Sequence, residues 1–168
     1  MVRYNGFDYL HDIVDFIKSK PFHFNILGIY GIKWAQSERK AKLNELYNNQ
    51  VLDKDKFTDI LDRNKNVLIG IICLDRRPKK STPDTHSDNH NTVIVKRHFR
   101  DMYGNILHVS DTEELAYKEI RLTLGFNINI VNSMKYNRCP GIGQCKSGDE
   151  LIKTFNKIED GRVVLWKP

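Results

Sequence analysis

The sequence predicts a fold of the mixed α/β or α+β class, one globular domain over residues 1–168 with helices packed on a β-sheet of about five strands. Three observations carry this expectation. Phe7, Leu10, Val14 and Ile17 recur at helical spacing. Residues 67–74 are apolar at every position except Gly70. Gly104 stands between two segments rich in strand-forming residues.

In chain order, Asn5 is placed to cap the first helix and Asp8 sits near its positive end. Lys20-Pro21 ends it, because the residue before proline is pushed out of helical geometry. Residues 22–32 are aromatic and β-branched and read as a strand. Residues 34–48 read as an exposed helix with Glu38 and Lys42 as an i,i+4 pair, and a shorter helix is expected near 54–63. The run 67–74 has the pattern of a central strand covered on both faces.

Residues 92–99 and 105–109 are expected to form a hairpin around 101–104, with Gly104 supplying a positive φ. Ser110 with Glu113, and Asp111 with Glu114, are overlapping capping boxes for a helix carrying Leu115, Ala116, Ile120 and Leu124 and ending at Gly125. Residues 126–131 read as a strand, Ser147 to Glu150 as the start of another helix, and 162–166 as a terminal strand.

The composition, with 40% hydrophobic and 29% charged residues, is that of a globular chain. No run reaches the roughly 18 apolar residues of a membrane span, and Asp8, Asp12 and Asp15 interrupt any leader-like stretch. The expectation is a cytoplasmic protein without a membrane partner. Three cysteines leave one over from any disulfide scaffold, and Cys73 in its apolar run reads as a small buried hydrophobe. Frequent Lys, Asn and Ile fit A- and T-rich coding, as in many phages, viruses and low-GC organisms.

Net charge is +6 and unevenly placed: residues 67–100 hold seven Lys and Arg against three Asp and Glu, and residues 101–132 hold two against five. Two basic clusters, Arg76-Arg77-Pro78-Lys79-Lys80 and Lys96-Arg97-His98-Phe99-Arg100, bracket a polar loop. If the second lies on a strand, period two sends Lys96, His98 and Arg100 to one face. Arg76, Arg77, Lys79, Lys80, Lys96, Arg97 and Arg100 then make the candidate surface for RNA or DNA, the leading functional expectation. A solvated loop and a charged edge strand are the plain alternative.

Other segments carry chemistry of their own. His86, Asp88 and His90 are donors for a divalent cation, though the loop-like composition around Pro83 and Asn89 does not hold them at helical ligand spacing. His90-Asn91-Thr92 and His108-Val109-Ser110 resemble the paired His-x-Thr/Ser arrangement of RNA-ligase-like phosphoesterases, in which imidazoles act as acid and base and hydroxyls hold phosphate. In that class the pairs come from separate lobes, whereas here they fall within one expected hairpin. Gly28-Ile29-Tyr30-Gly31-Ile32 resembles the first half of the GIY-YIG nuclease signature, whose second half is missing; its glycines suit close packing or a bulge. Glycines 141 and 143 lead through Cys145, Lys146 and Ser147 into a capped helix, a candidate anion site, while Cys139 and Cys145 lack a second ligand pair for zinc.

The familiar short enzyme motifs are absent, and none names a cofactor. Three functions remain in view: a polyanion-binding protein, a nucleotide-directed phosphoesterase or hydrolase using His90, His98 or His108 with Lys146 and Ser147, and a phage- or virus-type interaction factor meeting an acidic protein. The enzyme reading calls for a pocket that gathers at least two of these histidines.

Overall fold

The computed structural model describes residues 1–19, 21–22, 24–47, 67–81, 88–134 and 163–165. A 3-10 helix, Tyr4–Tyr9, runs into α1 (Leu10–Lys18). There follow β1 (Phe24–Lys33), α2 (Arg39–Leu46), β2 (Val67–Asp75), α3 (His90–Tyr103), α4 (Glu113–Leu124), α5 (Ile128–Met134) and β3 (Val163–Leu165). The class is mixed α/β, as expected.

The sheet has three strands among the described residues rather than about five, in the order β2-β1-β3 with both pairings antiparallel. β1 and β2 pair over their whole length, from Phe24 opposite Asp75 to Lys33 opposite Val67, with a register shift between Ile26 and Gly28. The glycine expectation for β1 holds here, because a Cβ on Gly28 would stand 2.6 Å from the buried Tyr30 ring.

Two apolar layers cover the sheet. Val67 and Ile69 of β2 pack with Ile13, Val14 and Ile17 of α1 and Val95 and Phe99 of α3. Leu68 and Ile72, on the opposite face by period two, pack with Leu43 and Leu46 of α2 and Leu124 of α4. β2 is thus covered on both sides, as its composition requires. Each large side chain removed from water contributes about 1.5–3 kcal/mol before chain entropy is charged against it. Among the described residues no helix is long and apolar enough to cross a membrane.

The expected hairpin of 92–99 with 105–109 does not form; residues 90–103 are helical. Asn89 caps this helix by accepting from the Asn91 backbone N–H at 3.0 Å, and Asn91, Val95 and Phe99 are buried at i, i+4 and i+8. The β-branched Thr92-Val93-Ile94-Val95 run fits a strand locally. A cap and a core-facing helical stripe outweigh that preference. Gly104 does adopt a positive φ, 72°, but it stops a helix instead of turning a hairpin.

The segment after Gly104 pairs with the beginning of the sequence. Val2 bridges both Ile69 and Leu107, its N–H donating to the Ile69 carbonyl at 2.7 Å, while the Arg3 N–H donates to the Ile106 carbonyl and the His108 N–H to the Met1 carbonyl, each at 2.9 Å. Residues 1–3 therefore wedge between β2 and the 106–108 segment. No short-range pattern announces a pairing more than 100 residues apart.

Smaller corrections follow the same logic. Residues 126–131 are not a strand; 128–134 form the short helix α5, where Asn127 accepts from the Ile130 N–H at 3.0 Å. Asn5 lies inside the 3-10 turn and not at a cap, and the exposed helix covers 39–46 of the expected 34–48. Thr112 caps α4 through the Leu115 N–H at 3.1 Å, and Gly125 ends it at φ 70°. The helices expected near 54–63 and after Ser147 lie outside the described residues.

Candidate functional site

The wedge at Val2 fixes where His108 goes. Leu107 turns into the core, so its neighbour His108 faces the middle of α4. Glu119 lies on the buried stripe of that helix with Thr123, four residues on. The two meet: His108 Nε2 lies 2.9 Å from Glu119 Oε1, while the Ser110 hydroxyl donates to Glu119 Oε2 at 2.5 Å. Both oxygens of a carboxylate that is only 8% exposed are therefore engaged.

Electrostatics assign the proton. Burial alone would raise the Glu119 pKa, but the hydrogen bonds from His108 and Ser110 and the positive charge nearby outweigh it and hold the carboxyl low, hence ionised. Burial lowers the His108 pKa more than Glu119 raises it, hence a neutral imidazole at pH 7. An ionised carboxylate only accepts, so the proton sits on Nε2 and the lone pair on Nδ1.

A guanidinium and a phenol complete the cluster. Arg3, 6% exposed, donates through Nη2 to the Tyr47 hydroxyl at 2.6 Å and through Nη1 to the Asn105 carbonyl at 3.1 Å. The Tyr47 ring meets the His108 ring edge-on, centroids 5.5 Å apart. Burial raises the Tyr47 pKa, with Arg3 opposing, so the phenol keeps its proton. His108, Ser110 and Glu119 line a cavity of about 500 Å³ whose wall also includes Cys73, Leu107 and Thr123. Cys73, half-buried as a residue, has its thiol pushed up to about 12 by burial and is inert as a nucleophile.

The candidate residues from the sequence separate widely. Of the three histidines only His108 lines the cavity among the described residues, not the two that an enzyme was expected to gather. His98 stacks flat on Phe16, centroids 4.0 Å apart, and is a packing residue. His90 sits in the first turn of α3, its N–H donating to the Lys79 carbonyl at 2.7 Å. The two His-x-Thr/Ser patterns thus fall on a helix start and an extended segment and do not form a symmetric pair.

Asp88 is exposed, its N–H donating to the Asp111 carbonyl at 2.9 Å; His86 lies outside the described residues, as do Cys139, Cys145, Lys146 and Ser147. Among the described residues no three His, Cys, Asp or Glu side chains gather to hold a metal ion.

The basic residues are placed by a different network. The Asp75 carboxylate accepts from the Arg77 backbone N–H at 2.9 Å and from the side chains of Asn89 and Asn91 at 2.8 Å each. Lys80 bridges to Asn89, so segment 76–81 is laced to the start of α3, with Arg76, Arg77, Lys79 and Lys80 exposed. With the Asn25 amide turned to match, its oxygen accepts from Arg76 Nε at 3.0 Å. Because 96–100 is helical, the expected period-two face of Lys96, His98 and Arg100 is replaced. Lys96, Arg97 and Arg100 share the outer side of α3, and His98 turns inward. Lys96 is bound to Asp111 at 3.2 Å.

Sequence reasoning passed over Arg3, Tyr47 and Glu119. Glu119 carried a readable signal, a carboxylate on the same helical stripe as Leu115, Ala116 and Thr123. Arg3 and Tyr47 carried none. No protein family, curated protein or solved structure matches the chain.

Proposed function

We propose that the chain is an enzyme acting on phosphate esters, with nucleotides as the substrate class and His108 as the reacting group. The observation that carries this reading is the carboxylate-fixed imidazole at a cavity wall. Glu119 holds the Nε2 proton, leaving an unprotonated Nδ1 on a neutral ring that lines the cavity. One carboxylate-oriented histidine replaces the histidine pair foreseen from the sequence. Asp–His and Glu–His pairs serve the same end elsewhere, orienting the ring and stabilising the charge it gains.

In this reading Nδ1 removes the proton of the attacking hydroxyl or water as the new P–O bond forms, and returns it to the leaving oxygen as the old bond breaks. The same lone pair is also suited to attack phosphorus directly, forming an N–P bond as the P–O bond to the leaving alcohol or nucleotide breaks; water or a second hydroxyl then attacks phosphorus, forms a new P–O bond and releases the imidazole. The two routes differ in whether phosphate remains on the protein after acid-free quenching.

The test is turnover of nucleoside mono-, di- and triphosphates by the wild-type chain and by His108→Ala. Loss of at least ~100-fold in kcat/KM, with unchanged circular dichroism, is expected. Turnover that survives the substitution, or its absence from the wild-type chain across the panel, removes the proposal.

A further inference from the structure

We infer that the outer side of α3, together with the laced segment 76–80, binds the phosphodiester backbone of nucleic acid. This surface adjoins the cavity lined by His108, which Pro78, Asn89 and Thr92 also face, but its cations are not among the lining residues and the inference does not depend on the reading given to His108. At about 100° per residue, Lys96, Arg97 and Arg100 fall within an arc of roughly 100° opposite the buried Asn91, Val95 and Phe99. Lys96 is already held by Asp111, so the working cations on the helix are Arg97 and Arg100. Both are exposed, and neither forms an ion pair with another described residue. Asp101 is the one carboxylate within α3.

The second group is tied to the first by hydrogen bonds and not by a loose tether. The His90 N–H donates to the Lys79 carbonyl and the Ser81 N–H to the Asp88 carbonyl, which set Lys79 and Lys80 beside the first turn of α3. From that turn, Arg97 and Arg100 lie about 10 and 15 Å along the helix axis. Positive charge therefore recurs over a length matched by about four to five phosphates of one strand at ~3.4 Å of axial rise each. Arginine forks suit phosphate oxygens, and a helix locked by Val95 and Phe99 spares the cost of ordering the main chain on binding. An acidic protein has no such regular spacing of charge, which favours nucleic acid as the partner.

The experiment compares two triple charge reversals of the full chain for binding to a fluorescein-labelled single-stranded oligonucleotide by anisotropy. One carries Lys79→Glu, Arg97→Glu and Arg100→Glu. The other carries Lys18→Glu, Lys40→Glu and Arg121→Glu, which change net charge equally on α1, α2 and α4. The first is expected to lose at least tenfold in affinity at about 50 mM salt and to flatten the salt dependence, by about 0.7 in slope for each single-strand phosphate contact removed. The second is expected to bind like the wild-type chain. Equal loss in both triple variants would show a general effect of net charge and overturn the inference. So would no loss in the first, or capture of an acidic polypeptide but not the oligonucleotide by the wild-type chain.

Discussion

Glu119 and Arg97 are both charged helix residues, yet the molecule treats them in opposite ways. Glu119 is sealed against the 106–110 segment, each oxygen engaged by a separate donor. Arg97 stands in solvent on α3, its position set by the helix and not by partners of its own. A buried charge is costly unless its hydrogen bonds are complete, so the Glu119 cluster is rigid and intolerant of change. An exposed charge costs the fold almost nothing and remains available to a partner, at the expense of strong screening by salt. The contrast separates a region of fixed geometry from one whose charge stays open to solvent.

The sharpest way to break this contrast is Glu119→Ala. It strips His108 Nε2 and the Ser110 hydroxyl of their acceptor inside the core, and is expected to cost about 3 kcal/mol, read from urea denaturation. Glu119→Gln keeps shape and one acceptor, so it should cost less while still lowering turnover. If the alanine variant is as stable as wild type, the cluster is not the rigid element described.

Acid is the next largest probe. The His108 pKa in the fold lies below its ordinary 6.5, so as pH falls through 6.5 the unfolded chain binds a proton that the folded chain refuses. Stability therefore declines from that pH down to the lowered folded value. A second decline begins near 4.5, where the unfolded Glu119 protonates before the folded one. Denaturation midpoints measured from about pH 7 down to about pH 4 should show both, and His108→Gln should remove the first. A flat profile in the wild-type chain would contradict the neutral, buried imidazole.

The surface should answer weakly to the same assays. Lys96→Ala breaks one half-exposed ion pair with Asp111 and should cost about 0.5 kcal/mol. Arg97→Gln and Arg100→Gln should leave stability within about 0.5 kcal/mol of wild type in the same denaturation series. A larger loss from either would mean that these arginines serve the fold.

Much of this organisation was legible from residue order alone. The covered strand β2, the helix stripe of Leu10, Val14 and Ile17, the strand at β1 with its glycine bulge, and the helix stop at Gly125 all follow from local pattern. Such features depend on the periodicity and sterics of neighbouring residues, which a linear chain displays. The clustering of charge in 67–100 was equally visible, since composition needs no fold.

The tertiary structure alone decided two things. It chose helix over strand for His90–Tyr103, because burying Asn91, Val95 and Phe99 against α1 and β2 is a contact with distant elements that outweighs a modest local β preference. It also assembled Arg3, Tyr47, His108 and Glu119, which are scattered over more than a hundred positions and meet through the pairing of Val2 with both Ile69 and Leu107. Long-range pairing carries no local signature, since its energy resides in contacts that exist only once the chain has closed.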